Sequence, residues 1–298
     1  MKKLLLAILT VALACGIGFA AVGCSEEAMS DTISVITRED GSGTRGAFVE
    51  LTGVQAEVDG EKVDRTTTSA EVANSTSVVI QKVKDNKSAI GYVSLGSLTD
   101  DIKAVPYEGV QASVENIKNG TYKLSRPFNV AYKADNDNAT LADFLKYIKS
   151  DEAKTIIESE GYIGPESTQA YTKPETAPTE ELVINGSSSV HPLMEKLVAA
   201  YCTASGVAAS KIKLGYNDST SGMNGAMNGT YDLGMASREL KAAEAEALTG
   251  YVLATDGIAV VVNKSNPVES LTKDQISKIY IGEAKKWSDV GVDVNEAK

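Results

Sequence analysis

Ile33-Ser34-Val35-Ile36-Thr37-Arg38-Glu39-Asp40-Gly41-Ser42-Gly43-Thr44-Arg45-Gly46-Ala47-Phe48-Val49-Glu50-Leu51 is the stretch on which the architecture turns. Ile33 to Ile36 alternate apolar and polar residues and predict a strand. Ala47 to Leu51 predict a helix, and the glycine-containing turn between them brings Ser42 and Thr44 to its N-terminus. The first amides of a helix have no intrahelical partner and sit at the positive end of the macrodipole. Arg38 adds a planar fork of five donors suited to a tetrahedral oxyanion, and the glycines let the backbone come close. Such a turn can cradle a small anion. Taken alone, the same residues also describe an ordinary capped helix beside a surface arginine.

The same grammar recurs further along. Ser75-Thr76-Ser77 opens a helix at Val78, with Ser77 a further possible contact. Leu182-Val183-Ile184 runs into Asn185-Gly186-Ser187-Ser188-Ser189-Val190-His191-Pro192. A helix follows with Leu193, Leu197 and Tyr201 on one face and Pro192 in its first turn. Lys211 to Leu214 leads to Asp218-Ser219-Thr220-Ser221-Gly222; Tyr231 to Met235 leads to Ala236-Ser237-Arg238 and a helix from Glu239 to Leu248. One such turn is routine capping, whereas their repetition implies helix ends converging on an anion. Glu239 to Glu246 reads as a solvated helix face.

Between these turns, Gln55 to Ser69 reads as a polar surface excursion and Ala89 to Val93 as a buried strand. Arg126 to Tyr132 predicts a strand with Pro127 near its start, and Leu141 to Glu160 an amphipathic helical pair broken near Ser150-Asp151. Pro165 to Glu180 is a linker by composition. Gly257 to Val262 predicts a buried parallel strand, and Thr272-Lys273-Asp274-Gln275 a capping box opening Ile276 to Ile281. Trp287 and Tyr201 read as core.

The chain has 298 residues and a formal charge of -11. Met1 to Gly23 carries Lys2 and Lys3, then an apolar run without acidic residues, and reads as a secretory signal. Its end, Ala21-Val22-Gly23-Cys24, resembles a bacterial lipobox, which makes Cys24 the lipidated first residue of a mature chain tethered through residues 24–31. Loss of Lys2 and Lys3 lowers the charge by two, to -13. An acidic protein is a poor partner for nucleic acid or anionic lipid, so the membrane is reached through the lipid anchor only, and any anion must be held by local dipoles. Cys15 lies in the signal and Cys24 would be acylated, which leaves Cys202 without a disulfide partner. One histidine and one free thiol exclude the usual zinc sets, no Walker-type loop is present, and no cofactor or metal is expected. Ser188 or Ser189 as the nucleophile of a serine hydrolase is the alternative from a different class, but His191 lies two residues from Ser189, a poor spacing for a positioned triad.

Gly186-Ser187-Ser188-Ser189-Val190, Ser219-Thr220-Ser221-Gly222, Met235-Ala236-Ser237-Arg238-Glu239, Thr255-Asp256-Gly257-Ile258-Ala259, Lys286-Trp287-Ser288-Asp289-Val290-Gly291, Arg38 through Thr44 and Ala89 to Val93 together resemble the PstS family. These are the phosphate-binding lipoproteins of the phosphate-specific ABC transporter. The resemblance spans nearly all of the mature chain. It implies a non-enzymatic, monomeric phosphate-binding protein on the extracytoplasmic face of the cell membrane, anchored at Cys24 and docking on permease subunits. A phosphate or oxyanion sensor or adhesin of the same fold is the alternative within the family. The implied fold is α/β, a two-lobed periplasmic-binding-protein-like (type II) fold. The motif order departs from the family: the Arg38 region should follow the Trp287 region, so the chain resembles a circular permutation. The alternative is a truncated or mis-assembled gene. The permuted lobes would be 32–125 plus 263–298, carrying Arg38, Ser42 and Thr44, and a continuous 126–262, carrying Ser188 and Ser219, with 165–180 joining the family's old termini. Carried over residue by residue, the phosphate contacts are Arg38, Ser42, Gly43, Thr44, Ser188, Ser189, Ser219 and Ser237. Asp40 holds the arginine. Where Ser237-Arg238 stands, some members place an aspartate that accepts the ligand's proton, and Asp256 is the candidate for that role here. Replacing Cys24 with Ser should move the protein from the membrane fraction to the medium; retention in the membrane fraction would contradict the anchor.

Overall fold

The computed structural model describes residues 28–166 and 169–296; the signal segment and Cys24 lie outside them. The first half runs β1 (Ser34–Arg38), α1 (Gly43–Thr52), the hairpin β2 (Gln55–Val58) and β3 (Glu61–Asp64), β4 (Glu71–Ala73), α2 (Thr76–Asp85), β5 (Ala89–Ser94), β6 (Ile102–Val105) and α3 (Val114–Lys118). β7 (Ser125–Tyr132) then crosses into the second half. That half holds α4 (Ala139–Ile148), α5 (Asp151–Ser159), β8 (Leu182–Gly186), α6 (His191–Ser205), β9 (Ile212–Leu214), α7 (Ser219–Asn228), β10 (Leu233–Ala236) and α8 (Ala242–Ala247). β11 (Thr249–Asn263) crosses back, and α9 (Lys273–Ile281) follows.

The strands lie in the order β4-β1-β5-β11-β7-β10-β8-β9, with β6 also on β11. β11 belongs to both halves. Its Thr249–Gly257 portion pairs with β7, and Ile258–Asn263 lies between β5 and β6. These pairings are antiparallel, not parallel as the apolar run Gly257 to Val262 predicts. A continuous apolar run reports burial on both faces, and a strand at the centre of a sheet covered on both sides is buried whichever way its neighbours run. The parallel ladders are β1 with β4 and β5, and β8 with β9 and β10.

Each half has its own core. Phe48, Tyr92, Ile258, Val260, Val262, Tyr280 and Trp287 pack in the first, and Phe128, Phe144, Leu193, Leu197, Tyr201, Met235 and Leu253 in the second. The continuous half therefore ends within β11 before Ile258, five residues short of the expected boundary at 262, because beyond Gly257 the side chains of Ile258, Val260 and Val262 pack with Phe48 and Tyr92, and those of Ala259 and Val261 with Val79 and Val83. Residues 285–290 return to Asp31 and Ile33 without a covalent link: Ile33 N–H donates to Lys285 O at 2.8 Å and Trp287 N–H to Asp31 O at 2.8 Å, and Met29, Ile33, Trp287 and Val290 share one core. Residues 165–166 and 169–180 form neither helix nor strand, and Tyr171 among them donates its hydroxyl to Asp143 Oδ2 at 2.7 Å. α8 is shorter than Glu239 to Leu248, since the Glu244 carboxylate caps Lys241 N–H at 2.8 Å and starts the helix at Ala242. Among the described residues no helix is long and apolar enough to cross a membrane.

Trp287 is fully buried and donates Nε1–H to Ser88 O at 3.2 Å. Trp287→Ala should cost about 3–5 kcal/mol in a urea melt; a loss below ~1 kcal/mol would show that the non-covalent return of the chain end carries little of the stability.

Candidate functional site

Four helices of ten residues or more begin at one place, α1 and α2 from the first half and α6 and α7 from the second. Three start with side-chain caps: Ser42 accepts from Arg45 N–H, Ser75 from Val78 N–H, and Asp218 from Ser221 N–H. β1, β8 and β10 end there and present Arg38, Ser187 to Ser189, and Ser237.

Arg38 is 2% exposed. Its Nε and Nη2 donate to the two carboxylate oxygens of Glu39, each at 2.7 Å. Nη2 also donates to Ser188 Oγ of the other half at 2.9 Å, and Nη1 to Thr76 Oγ1 at 3.3 Å. Thr44 Oγ1 lies 2.9 Å and Thr76 Oγ1 3.0 Å from Ser189 Oγ. Ser219 Oγ accepts from Gly43 N–H at 3.2 Å and Ser237 N–H at 3.1 Å, and Ser187 Oγ donates to Ser237 Oγ at 2.9 Å. All of these hydroxyls are buried. The arrangement is a ring of amides and hydroxyls drawn from both halves around one guanidinium, with helix dipoles adding positive potential.

Close approach is built into the backbone. Gly41 has φ +86°, and a Cβ there would stand 2.9 Å from Asp218 Cγ; a Cβ on Gly43 would stand 2.9 Å from Ser237 Oγ and closer still to Ser219 Oγ. Thr220 N–H and Oγ1–H both donate to Gly41 O at 3.2 Å. The Gly41-Ser42-Gly43 turn of one half thus seats on the first turn of α7 in the other.

The predicted contacts Arg38, Gly43, Thr44, Ser188, Ser189, Ser219 and Ser237 come together here. Ser42 is buried beside them as the α1 cap. Three expectations change. Asp40 is exposed beyond the end of β1 and pairs with Arg45 at 2.8 Å, so the carboxylate that holds Arg38 is that of Glu39. Arg45 supports the site from behind by donating to Arg38 O at 2.9 Å. Asp256 is buried, but its Oδ2 accepts from Arg126 Nη2 at 3.1 Å and Nε at 3.3 Å, and its Oδ1 from Ser94 Oγ at 2.8 Å. It faces Arg126 across the β7–β11 register and makes no bond to the hydroxyl ring. Burial pushes its carboxyl up to about 6 against the pull of Arg126 and Ser94. Ser77 is exposed, and its neighbour Thr76 takes the inward position, because α2 starts at Thr76 with Ser75 as cap.

Thr76, Ser187 and Glu39 are site residues that the sequence reading passed over. Thr76 and Ser187 lie inside hydroxyl-rich turns already singled out; only the helix start decides which hydroxyl faces inward. Glu244 of the acidic run is 3% exposed and pairs with Arg238 at 2.7 and 2.8 Å, and Arg238 Nη2 also donates to Thr220 Oγ1 at 3.4 Å. His191 lies 3.7 Å from Glu195, against Tyr216, and burial lowers its pKa. It has no bond to Ser188 or Ser189.

The profile of the PBP superfamily domain matches residues 26–152 and 171–297. The phosphate-binding protein PstS 2 of Streptococcus agalactiae serotype V is 43% identical over 294 residues, 97% of this chain and 99% of that protein. The chain belongs to the PstS family. PstS 2 of Streptococcus pneumoniae serotype 4 is 37% identical over 280 residues, 92% of this chain and 94% of its own length. The crystal structure of a phosphate ABC transporter phosphate-binding protein from S. pneumoniae TIGR4 matches with a TM-score of 0.67 at 38% identity, covering 87% of this chain and 99% of that one. Membership in the PstS family agrees with the α/β architecture of two halves joined by crossing strands.

Gly43→Ala should leave the thermal midpoint within a few degrees while wedging the halves apart. Small-angle scattering with phosphate present should then give a larger radius of gyration than for the native chain; equal radii would contradict the steric role of Gly43.

Proposed function

We propose that the chain binds inorganic phosphate between its two halves and delivers it to the permease subunits of an ABC transporter for uptake. The observation that carries this is the Arg38 Nη2 to Ser188 Oγ contact across the cleft, ringed by four helix N-termini. A tetrahedral oxyanion needs several donors at one point, and this ring supplies them from both halves. The names of the relatives, phosphate-binding proteins and a phosphate ABC transporter component, support the same ligand and partner. Arg38 is matched by Glu39, Arg126 by Asp256 and Arg238 by Glu244. The acidic chain therefore holds its ligand with dipoles and hydrogen bonds more than with net charge.

The protein acts as a monomer, anchored at Cys24 outside the cell, as the lipobox-like segment suggests. The motif order is native to this branch and not a gene artefact; an end-to-end match over 97% of this chain and 99% of the S. agalactiae relative supports that, since a single alignment of that span requires a shared order. The names of the relatives, binding proteins and an ABC transporter component, support a binding role over the hydrolase alternative.

Calorimetric titration with inorganic phosphate tests this. Native protein should bind one equivalent, and Arg38→Ala should weaken binding about a hundredfold or more, the cost of roughly 3 kcal/mol of charge-assisted hydrogen bonding. Equal affinities, or no binding by the native chain, would overturn it.

A further inference from the structure

A groove lies between the two halves apart from the ring. It measures about 570 Å³ and shares none of the ring's residues, and its size suits a small organic molecule. The first half contributes one face of α1 and part of the β2–β3 hairpin, the second half Arg238 to Lys241, and the crossing strand β7 its start, Ser125 to Pro127. Ala47, Leu51, Pro127 and Leu240 line it as half-buried apolar side chains.

The buried charge of this groove is Arg126, which is 4% exposed. Its Nε and Nη2 donate to Asp256 Oδ2. A guanidinium is a planar fork, so Nη1 stands on the side turned away from that carboxylate. Nη1 is buried and has no hydrogen-bond partner among the described residues. Arg126 lines the groove and Asp256 does not. A buried donor left without an acceptor is costly, and native structures carry few of them. The other charges along the groove are balanced at its edge: Glu50 pairs with Lys62 at 3.0 Å and Arg238 with Glu244 at 2.7 Å, while Glu239 and Lys241 are exposed and opposite in sign.

We propose that this groove is a second binding site, for a small organic monocarboxylate: Arg126 Nη1 donates to the carboxylate, and Ala47, Leu51, Pro127 and Leu240 cover a short apolar tail. One nitrogen with two hydrogens suits a single negative charge. A dianion would need more donors than the groove provides and would also meet Glu50 and Glu239. The apolar lining favours a tail over a bare inorganic ion. The site is separate from the ring, so it stands independently of the phosphate reading.

Calorimetric titration of the full mature chain with hexanoate tests the assignment. Native protein should bind it in the millimolar range or tighter, and hexanol, with the same tail and no charge, about tenfold more weakly or worse. Ala47→Trp fills the groove; Arg126→Lys keeps a cation beside Asp256 and removes Nη1. Each should lower the hexanoate affinity about tenfold or more. Circular dichroism melts identify any variant that fails to fold, and folded Ala47→Trp should bind inorganic phosphate as the native chain does. Arg38→Ala, which disrupts the ring, should keep its hexanoate affinity. The assignment is overturned if native protein does not bind hexanoate, if hexanol binds equally well, or if either folded groove variant binds hexanoate like the native chain. Loss of hexanoate binding in Arg38→Ala would place the carboxylate in the ring and overturn it as well.

Discussion

Two independently packed cores must bring donors to one point, and the contact between Arg38 and Ser188 is where that constraint is met. Arg38 ends β1 in the first core; Ser188 follows β8 in the second. Each is buried, so neither can be moved without disturbing the strand that carries it. The glycines at 41 and 43 follow from the same need, since the turn behind Arg38 has to lie directly on the start of α7. The crossing strands β7 and β11 set how the halves meet, and the Arg126–Asp256 pair is locked into their register. A buried ion pair adds little net stability against its desolvation cost, but breaking it by removing one partner is expensive. Its place at the crossing fits a role in fixing strand alignment.

The electrostatic design follows from the charge of the chain. A protein at -11 cannot attract an anion by its overall field. The guanidinium groups of Arg38, Arg45, Arg126 and Arg238 are each matched by a carboxylate, leaving helix ends and hydroxyls to supply the positive potential. Such donors are directional and preorganised, which favours selectivity over strength.

Much of this was legible in the chain. Strand, hydroxyl-rich turn and helix recur with enough regularity to imply helix ends converging on an anion, and the resemblance to the PstS family then pointed to Arg38, Thr44, Ser188, Ser189, Ser219 and Ser237 before any geometry. The capping box at Thr272 was placed correctly, because a cap is local chemistry. What escaped was long-range. Asp256 and Glu244 sit in sequence beside plausible roles, and only tertiary packing reveals that each is consumed by an arginine. Asp40 and Glu39 are adjacent in sequence, and the exit of the chain from β1 decides which of them lies against Arg38. The direction of β11 was equally hidden, since burial on both faces leaves the same apolar run in either direction.

A double-mutant cycle on Arg38 and Ser188, read as phosphate affinity by calorimetry, addresses the central claim most directly. If the two side chains act together across the cleft, Arg38→Lys and Ser188→Ala should be coupled by about 1 kcal/mol or more. Losses that add to within ~0.3–0.5 kcal/mol would mean that the two act independently, and the picture of donors from two halves meeting on one anion would not stand.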